Sequence, residues 1–282
     1  MSAMRGTYAL AAAQATEEVV LTDASLPSTW DAVVETTTPA DRDRARDAYQ
    51  QMFRVADDLK QLRLNRDAAF RALADAHHET LYRLALMVQM RAGGDSTRIL
   101  RIAALSALLA ESVGWSPDEC ELLSRAAPLA DIGLCMVPDG ATPEVGALTE
   151  SYREHTRQGA RLLGGTDVPV LQMAANIALS HHERWDGAGY PSRLARDAIP
   201  MAARIVAVAD YFDTITLGPE HERLPDSIAL RAVRAESAKR LDPVLAEALL
   251  DNAVRLCGAR DFVNVQGAAD GFDWPEGWWR VF

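Results

Sequence analysis

The sequence predicts an all-α fold, a multi-helix bundle preceded by one long helix, and three observations carry that prediction. No stretch alternates apolar and polar residues as a half-buried strand would. Residues 41–91 contain neither Pro nor Gly and repeat apolar residues at broadly helical spacing. Ser116-Pro117-Asp118-Glu119 combines a cap, a proline at the first helical position and a carboxylate at the third, which is how helices start.

Taken in order, residues 1–42 are rich in Ala, Thr, Ser and Asp, include Glu35-Thr-Thr-Thr-Pro-Ala, and read as a flexible or loosely docked arm. Residues 43–92 form the long amphipathic helix, with Met52, Ala56, Leu59, Phe70, Leu73 and Leu81 along its stripe and an interruption expected near Asn65. Such a stripe cannot bury itself, so the helix packs on the main domain or pairs with a second copy; its spacing is too irregular for a strict coiled coil. Residues 93–282 make the helical domain. Asp95 or Ser96 caps a helix whose Ile99, Ile102, Leu105 and Leu109 face a core, ending near Gly114. The next runs from Pro117 to about Leu129 and delivers Asp131 to its end. Thr149-Glu150 opens a helix closed by Gly164-Gly165, and Val168 to His182 forms another, followed by a loop from Arg184 to Pro191. Pro200 begins a helix through Asp210 to about Thr216. Trp274, Trp278 and Trp279 seal the chain end against the core or form a partner surface.

The 282 residues carry 29 Lys+Arg against 40 Asp+Glu, a net charge of −11, which argues against duplex nucleic acid as the main partner. No apolar run approaches a membrane span, and the short stretch Tyr8 to Ala13 lacks the basic flank of a secretion signal, so a cytoplasmic protein is expected. Cys120, Cys135 and Cys257 are odd in number and widely separated, and read as buried free thiols.

Chemistry concentrates in the histidines. Of the six, His155, His181 and His182 fall on segments that also approach Asp131 and Asp210. Neutral imidazoles with carboxylates are what a divalent iron, manganese or zinc ion requires. His77 and His78 on the long helix, and His221 in a polar loop, read as ordinary surface histidines.

His181-His182-Glu183-Arg-Trp-Asp186-Gly187-Ala-Gly189-Tyr190-Pro191, followed by Ala203-Arg204-Ile-Val-Ala-Val-Ala-Asp210, closely resembles the HD-GYP family, over roughly Glu79 to Asp251. The resemblance implies an all-helical HD-superfamily domain with two or three metal ions, usually iron or manganese, that hydrolyses cyclic di-GMP. It also likens the long helix to the signalling helix that joins such domains to a receiver. The family's paired His-Asp with a Lys three residues on stands here as Ala130-Asp131-Ile-Gly-Leu134. Aligning the preceding helices puts Gln89 where the family has a Glu ligand and Arg98 where it has its first His. The ligands that remain are Asp131, His155, His181, His182 and Asp210. By this resemblance the first four form a complete set for one metal, while the adjoining position keeps only Asp131 and Asp210, to either of which Arg98 supplies a substitute positive charge.

The leading expectation is therefore a degenerate signalling domain with lost or strongly reduced cyclic di-GMP hydrolysis. It would bind a nucleotide or, through the loop of Asp186, Gly187, Gly189, Tyr190 and Pro191 with Arg204, a partner such as a GGDEF-type diguanylate cyclase domain. The alternative is a working metal-dependent phosphodiesterase using the remaining ligands, with Asp131 catalytic. One divalent metal and a homodimer through the long helix complete the expectation.

Overall fold

A computed structural model describes residues 38–138, 149–218, 223–267 and 277–282, so most of the expected N-terminal arm, His221 and Trp274 lie outside the described residues. Among these residues the regular structure is helical, and the β contribution is an isolated bridge between Ser237 and Leu241. The chain divides into two compact units, Met1–Phe70 and Arg71–Phe282.

Helix α1 (Pro39–Arg91) runs through this division without the break expected near Asn65. Gln61 Nε2 donates to Asn65 Oδ1 at 3.0 Å one turn on, so the Asn side chain is held within the helix instead of competing with its backbone bonds. In the first unit Met52, Phe53, Leu59 and Leu62 are exposed.

The second unit is organised around α2 (Arg98–Ser112), in which every residue from Ile99 to Ala110 is buried. A helix that is apolar on nearly all sides must be enclosed, and α3 (Pro117–Ala126), α7 (Met201–Leu217) and α10 (Ala253–Gln266) enclose it. The start of α2 differs from the expected Asp95 or Ser96 cap. Thr97 occupies the capping position with no side-chain bond to the helix amides, while Asp95 is drawn to Arg101, Oδ2 to Nη1 at 2.5 Å, and accepts the Thr97 amide at 3.0 Å. At α3 the anticipated box is complete: Ser116 Oγ accepts the Glu119 amide at 3.3 Å, and Glu119 Oε2 accepts the Ser116 amide at 2.8 Å. This helix stops at Ala126, short of Leu129, since Pro128 has no amide to continue it; a 3-10 turn, Ala127–Leu129, follows.

The helix expected from Glu150 is two, α4 (Glu150–Arg153) and α5 (His155–Leu163), packed with α6 (Pro169–Ser180). Beyond the elements read from sequence come α8 (Asp226–Glu236), α9 (Pro243–Asp251) and α10. Asp242 starts α9 by accepting the Val244 amide at 2.8 Å. Trp279 is fully buried and donates from Nε1 to Glu121 Oε2 at 3.1 Å, so it does seal the chain end, with Trp278 half-buried beside the core. Cys120 is buried as expected, but Cys135 and Cys257 are half-exposed. No described helix is long and apolar enough to cross a membrane.

Candidate metal centre

Asp131 stands at the entry to a 3-10 turn, Ile132–Met136; His155 opens α5; His181 and His182 close α6. The turn and α5 meet at Gly133, where a Cβ would come within 2.0 Å of the His155 carbonyl oxygen. Only glycine allows that approach, and it sets Asp131 and His155 side by side. Gly159 then lets α5 lie against Ala178 of α6, whose Cβ would be 3.2 Å from an added Cβ.

One donor atom from each of Asp131, His155, His181 and His182 lies within 4.8 Å of the others. His155 Nε2 is 3.5 Å and His181 Nε2 3.3 Å from Asp131 Oδ1. Donors sharing one ion at ~2.1 Å can be at most about 4.2 Å apart, so a few tenths of an ångström of adjustment suffices. The ring orientations are set from outside the cluster. His155 Nδ1 faces the Tyr152 carbonyl at 2.6 Å, and His181 Nδ1 faces those of Ile177 and Ala178 at 3.0 and 3.2 Å. A carbonyl can only accept, so Nδ1 carries the proton and each neutral ring turns an Nε2 lone pair inward. Asp131 Oδ1 and the Nε2 atoms of His155, His181 and His182 are all buried without a hydrogen-bond partner. Four inward-facing, unsatisfied donors of this kind fit a divalent cation.

The electrostatics agree. Burial pushes the Asp131 carboxyl up, but the adjacent His181, and then His155 and His182, outweigh it and hold Asp131 well below the usual carboxylate range. Burial lowers His182 far below an ordinary imidazole and lowers His155 as well. Against its own burial, His181 is raised by Asp131, so without a cation it is the ring that takes a proton.

Asp210 shares a small cavity with Asp131 and is held by Arg98, whose Nη2 bonds Asp210 Oδ1. Arg98 Nη1 also reaches Asp213 Oδ2 and Thr214 Oγ1, each at 3.2 Å. The charges of Asp210, then Asp213 and Asp131, keep the guanidinium pKa above its ordinary value despite burial. Of Arg98's two expected partners, then, Asp210 is the one bonded. Gln89, Arg98, Ala130, Asp131, His181 and Asp210 line a cavity of only about 20 Å3, room for little more than one water. Leu134 lies on the 3-10 turn, half-buried and outside this lining.

Sequence reasoning missed the continuation of this ladder. Arg101 is fully buried and grips Asp213 twice, Nε to Oδ1 at 2.6 Å and Nη2 to Oδ2 at 3.0 Å, before reaching Asp95. The signal was available: Arg98 and Arg101, three apart on an apolar helix, match Asp210 and Asp213, three apart on another.

The loop after α6 folds back on the cluster. At Gly189 an added Cβ would sit 2.4 Å from the Arg184 amide, so the chain doubles closely on itself there. Glu183, buried and raised by that burial, accepts the Ser192 and Leu194 amides at 2.7 and 3.1 Å. Tyr190 is therefore laid on His182, ring stacked at 4.8 Å, with its hydroxyl buried and unpartnered, rather than held out to solvent. Pro191 follows it, and its carbonyl accepts from Arg157 at 3.2 Å. Asp186 pairs with Arg184 at 2.7 Å and accepts the Ala188 amide at 3.0 Å, shaping the turn at Gly187. Arg204 lines a different cavity, bonded to Asp242 at 2.6 Å and Asp197 at 3.0 Å and stacked over Trp185; it braces the far side of the loop.

Residues 68–245 match the family model described as HD domain. The chain is 39% identical over 199 residues, 68% of its length, to the cyclic di-GMP phosphodiesterase response regulator RpfG of Xanthomonas campestris pv. campestris, covering 53% of that protein. It is 41% identical over 155 residues, 53% of its length, to a cyclic di-GMP phosphodiesterase of Thermotoga maritima, covering 42% of it. It is 31% identical over 185 residues, 64% of its length, to 3'3'-cGAMP-specific phosphodiesterase 2 of Vibrio cholerae, covering 35% of that one. The chain thus spans about half or less of the length of these relatives. A solved structure of a cyclic GMP-AMP specific phosphodiesterase of Vibrio cholerae, V-cGAP3, shares the fold, with a TM-score of 0.51 at 20% identity over 68% of this chain and 53% of that one. With the helical core, the histidine-aspartate cluster and the Gly-Tyr-Pro loop on one matched segment, the chain belongs to the HD domain family, in its HD-GYP form.

Proposed function

We propose that the chain is a degenerate HD-GYP signalling domain. It keeps one divalent metal, held by Asp131, His155, His181 and His182, has lost or strongly reduced hydrolysis of cyclic di-GMP, and acts by binding nucleotide, a partner protein, or both. The observation that carries this reading is the Arg98 guanidinium on Asp210, in a cavity too small for a hydrated ion. A guanidinium supplies positive charge but no ligand position and no bound water. A divalent ion in the four-donor cluster would neutralise phosphate charge and lower the pKa of a bound water. His155 and His181 supply oriented lone pairs, Asp131 a carboxylate that stays ionised, and the Tyr190 ring shields His182 from water. Ala130 and Leu134 contribute neither ligand nor charge.

Iron, manganese and zinc all suit this donor set. The exposed apolar residues of α1 support pairing with a second copy, and the partly exposed Gly-Tyr-Pro loop supports a protein contact such as a diguanylate cyclase domain. The test is metal analysis of the purified chain beside a turnover assay on cyclic di-GMP. One ion per chain, lost in His182→Ala, with negligible turnover is the expected result. Sustained turnover that disappears in His182→Ala would establish the active phosphodiesterase instead.

A further inference from the structure

Beside the cluster, across the Tyr190 ring, opens a cleft of about 520 Å3 whose walls include Glu150, Arg153, Arg157, Tyr190 and Arg193. That size is in the range of small-molecule sites. Three arginines converge here in a chain of net charge −11. Arg157 is committed, to Glu154 at 2.5 Å and to the Pro191 carbonyl. Among the described residues no carboxylate pairs with the side chain of Arg153 or of Arg193. The Arg153 guanidinium lies over the Tyr190 ring, 5.3 Å from its centre, and its Nε is buried with no hydrogen-bond partner. Arg193 is exposed and held at φ 55°, a conformation unfavourable for a side chain of its size. Two uncompensated guanidiniums facing one cleft, one with an unsatisfied buried N–H, match an anion with several oxygens.

The cleft and the metal cluster share a wall. Tyr190 stacks on His182, carries Arg153 against its ring, and buries a hydroxyl that nothing bonds. We propose that this cleft is a second phosphate site, in which Arg153 and Arg193 take one phosphate of a dinucleotide whose other phosphate faces the histidine cluster. This rests on the reading of the cluster as a metal site. It adds a selectivity that the cluster alone lacks, since a ligand with one phosphate can satisfy only one of the two positions.

The experiment is calorimetric titration of the full chain, metal-loaded and after EDTA treatment, with cyclic di-GMP, GMP and inorganic pyrophosphate. Arg193→Gln and Arg153→Gln are compared with wild type, with Arg153→Lys as a variant that keeps charge but loses the planar fork. Each Gln variant is expected to weaken cyclic di-GMP about tenfold and flatten its salt dependence, with metal content unchanged and GMP affinity altered less than about twofold. Arg153→Lys should recover part of the loss. Cyclic di-GMP affinity indifferent to both Gln changes would overturn the proposal. So would pyrophosphate binding as tightly as the dinucleotide, which would mark a simple phosphate site. Arginine-dependent binding in a chain that retains no metal would support the cleft and overturn the metal reading, so the two can fail separately.

Discussion

Arg98→Ala tests the substitution of a guanidinium for an ion. The side chain has two ionic contacts and one to a hydroxyl, but the three are not equally lost on truncation. Asp213 retains its double grip from Arg101, and Thr214 is merely released, so the orphaned group is Asp210. Stranding a fully buried charge costs ~3–5 kcal/mol. The Arg98 and Asp210 side chains keep 22% and 19% of their surface, so water partly compensates and ~2–3 kcal/mol is the expected loss. At ~2–4 °C per kcal/mol for a folded unit of this size, Tm should fall by about 5–10 °C. Thr214→Ala, which removes only the hydroxyl, should move it by less than about 3 °C. Measured by calorimetry in EDTA and again with manganese, the Arg98→Ala chain should regain part of its loss with the metal, because Asp210 and Asp131 are then free to share a cation. A Tm in EDTA within 1 °C of wild type would refute the ion-pair argument. A loss that manganese leaves untouched would refute the claim that Arg98 occupies a cation's place.

Ala130→His with Leu134→Lys should leave cyclic di-GMP hydrolysis far below that of the active relatives, since Arg98 still fills the adjoining position; hydrolysis at their rate would count against this. Metal loading should weaken as pH falls, beginning above the ordinary histidine range, because His181, raised by Asp131, must give up a proton to bind, whereas His155 and His182, lowered by burial, stay neutral further into acid. Dialysis at graded pH reads this, and loading flat down to pH 5 would contradict it. In the metal-free chain the depressed Asp131 gives stability that is fully present above the unfolded carboxylate range and is lost as pH falls below it toward the lowered folded value. Tyr190→Phe should leave Tm within about 1 °C, since the hydroxyl has no partner, whereas Tyr190→Ala removes the ring between His182 and Arg153 and should cost ~2–3 kcal/mol. Equal melting of the two would mean the stack contributes nothing. Trp279→Ala should cost ~3–5 kcal/mol in urea unfolding by emptying a fully buried site and removing one of the bonds to Glu121; a loss under 1 kcal/mol would show that the chain end is not needed to close the core.

What could be read from residues alone was whatever is encoded locally. Ser116 with Glu119, and Pro at the head of α3, mark a helix start within four residues, and the apolar run from Ile99 to Ala110 marks a helix enclosed on all sides. The four donors were legible because histidine is scarce in this chain and three fall near helix ends. Pairings across helices were less so. The matched spacing of Arg98 and Arg101 with Asp210 and Asp213 marks a pairing but not which Asp each Arg meets, since that depends on how α2 crosses α7. The position of Tyr190 was equally hidden, because it follows from the contact of Gly189 with the Arg184 amide and from the capture of two loop amides by Glu183. The C-terminal helices were missed for a plainer reason: α8 and α9 are short, and propensity over so few residues is a weak signal.

The Glu183 carboxylate fastens the loop by main-chain amides, those of Ser192 and Leu194, rather than by any side chain beyond the tyrosine. Every residue type except proline offers an amide in that place. Side chains at 192–194 can therefore be exchanged without dissolving the clip, and the identity of what the loop displays is uncoupled from the path it follows. Arg193 sits on such a clipped backbone and points its charge outward from it. A loop built this way can change the ligand chemistry of its cleft by single substitutions while the histidine cluster behind it keeps its geometry, so selectivity for what is bound can diverge between related chains faster than the centre itself.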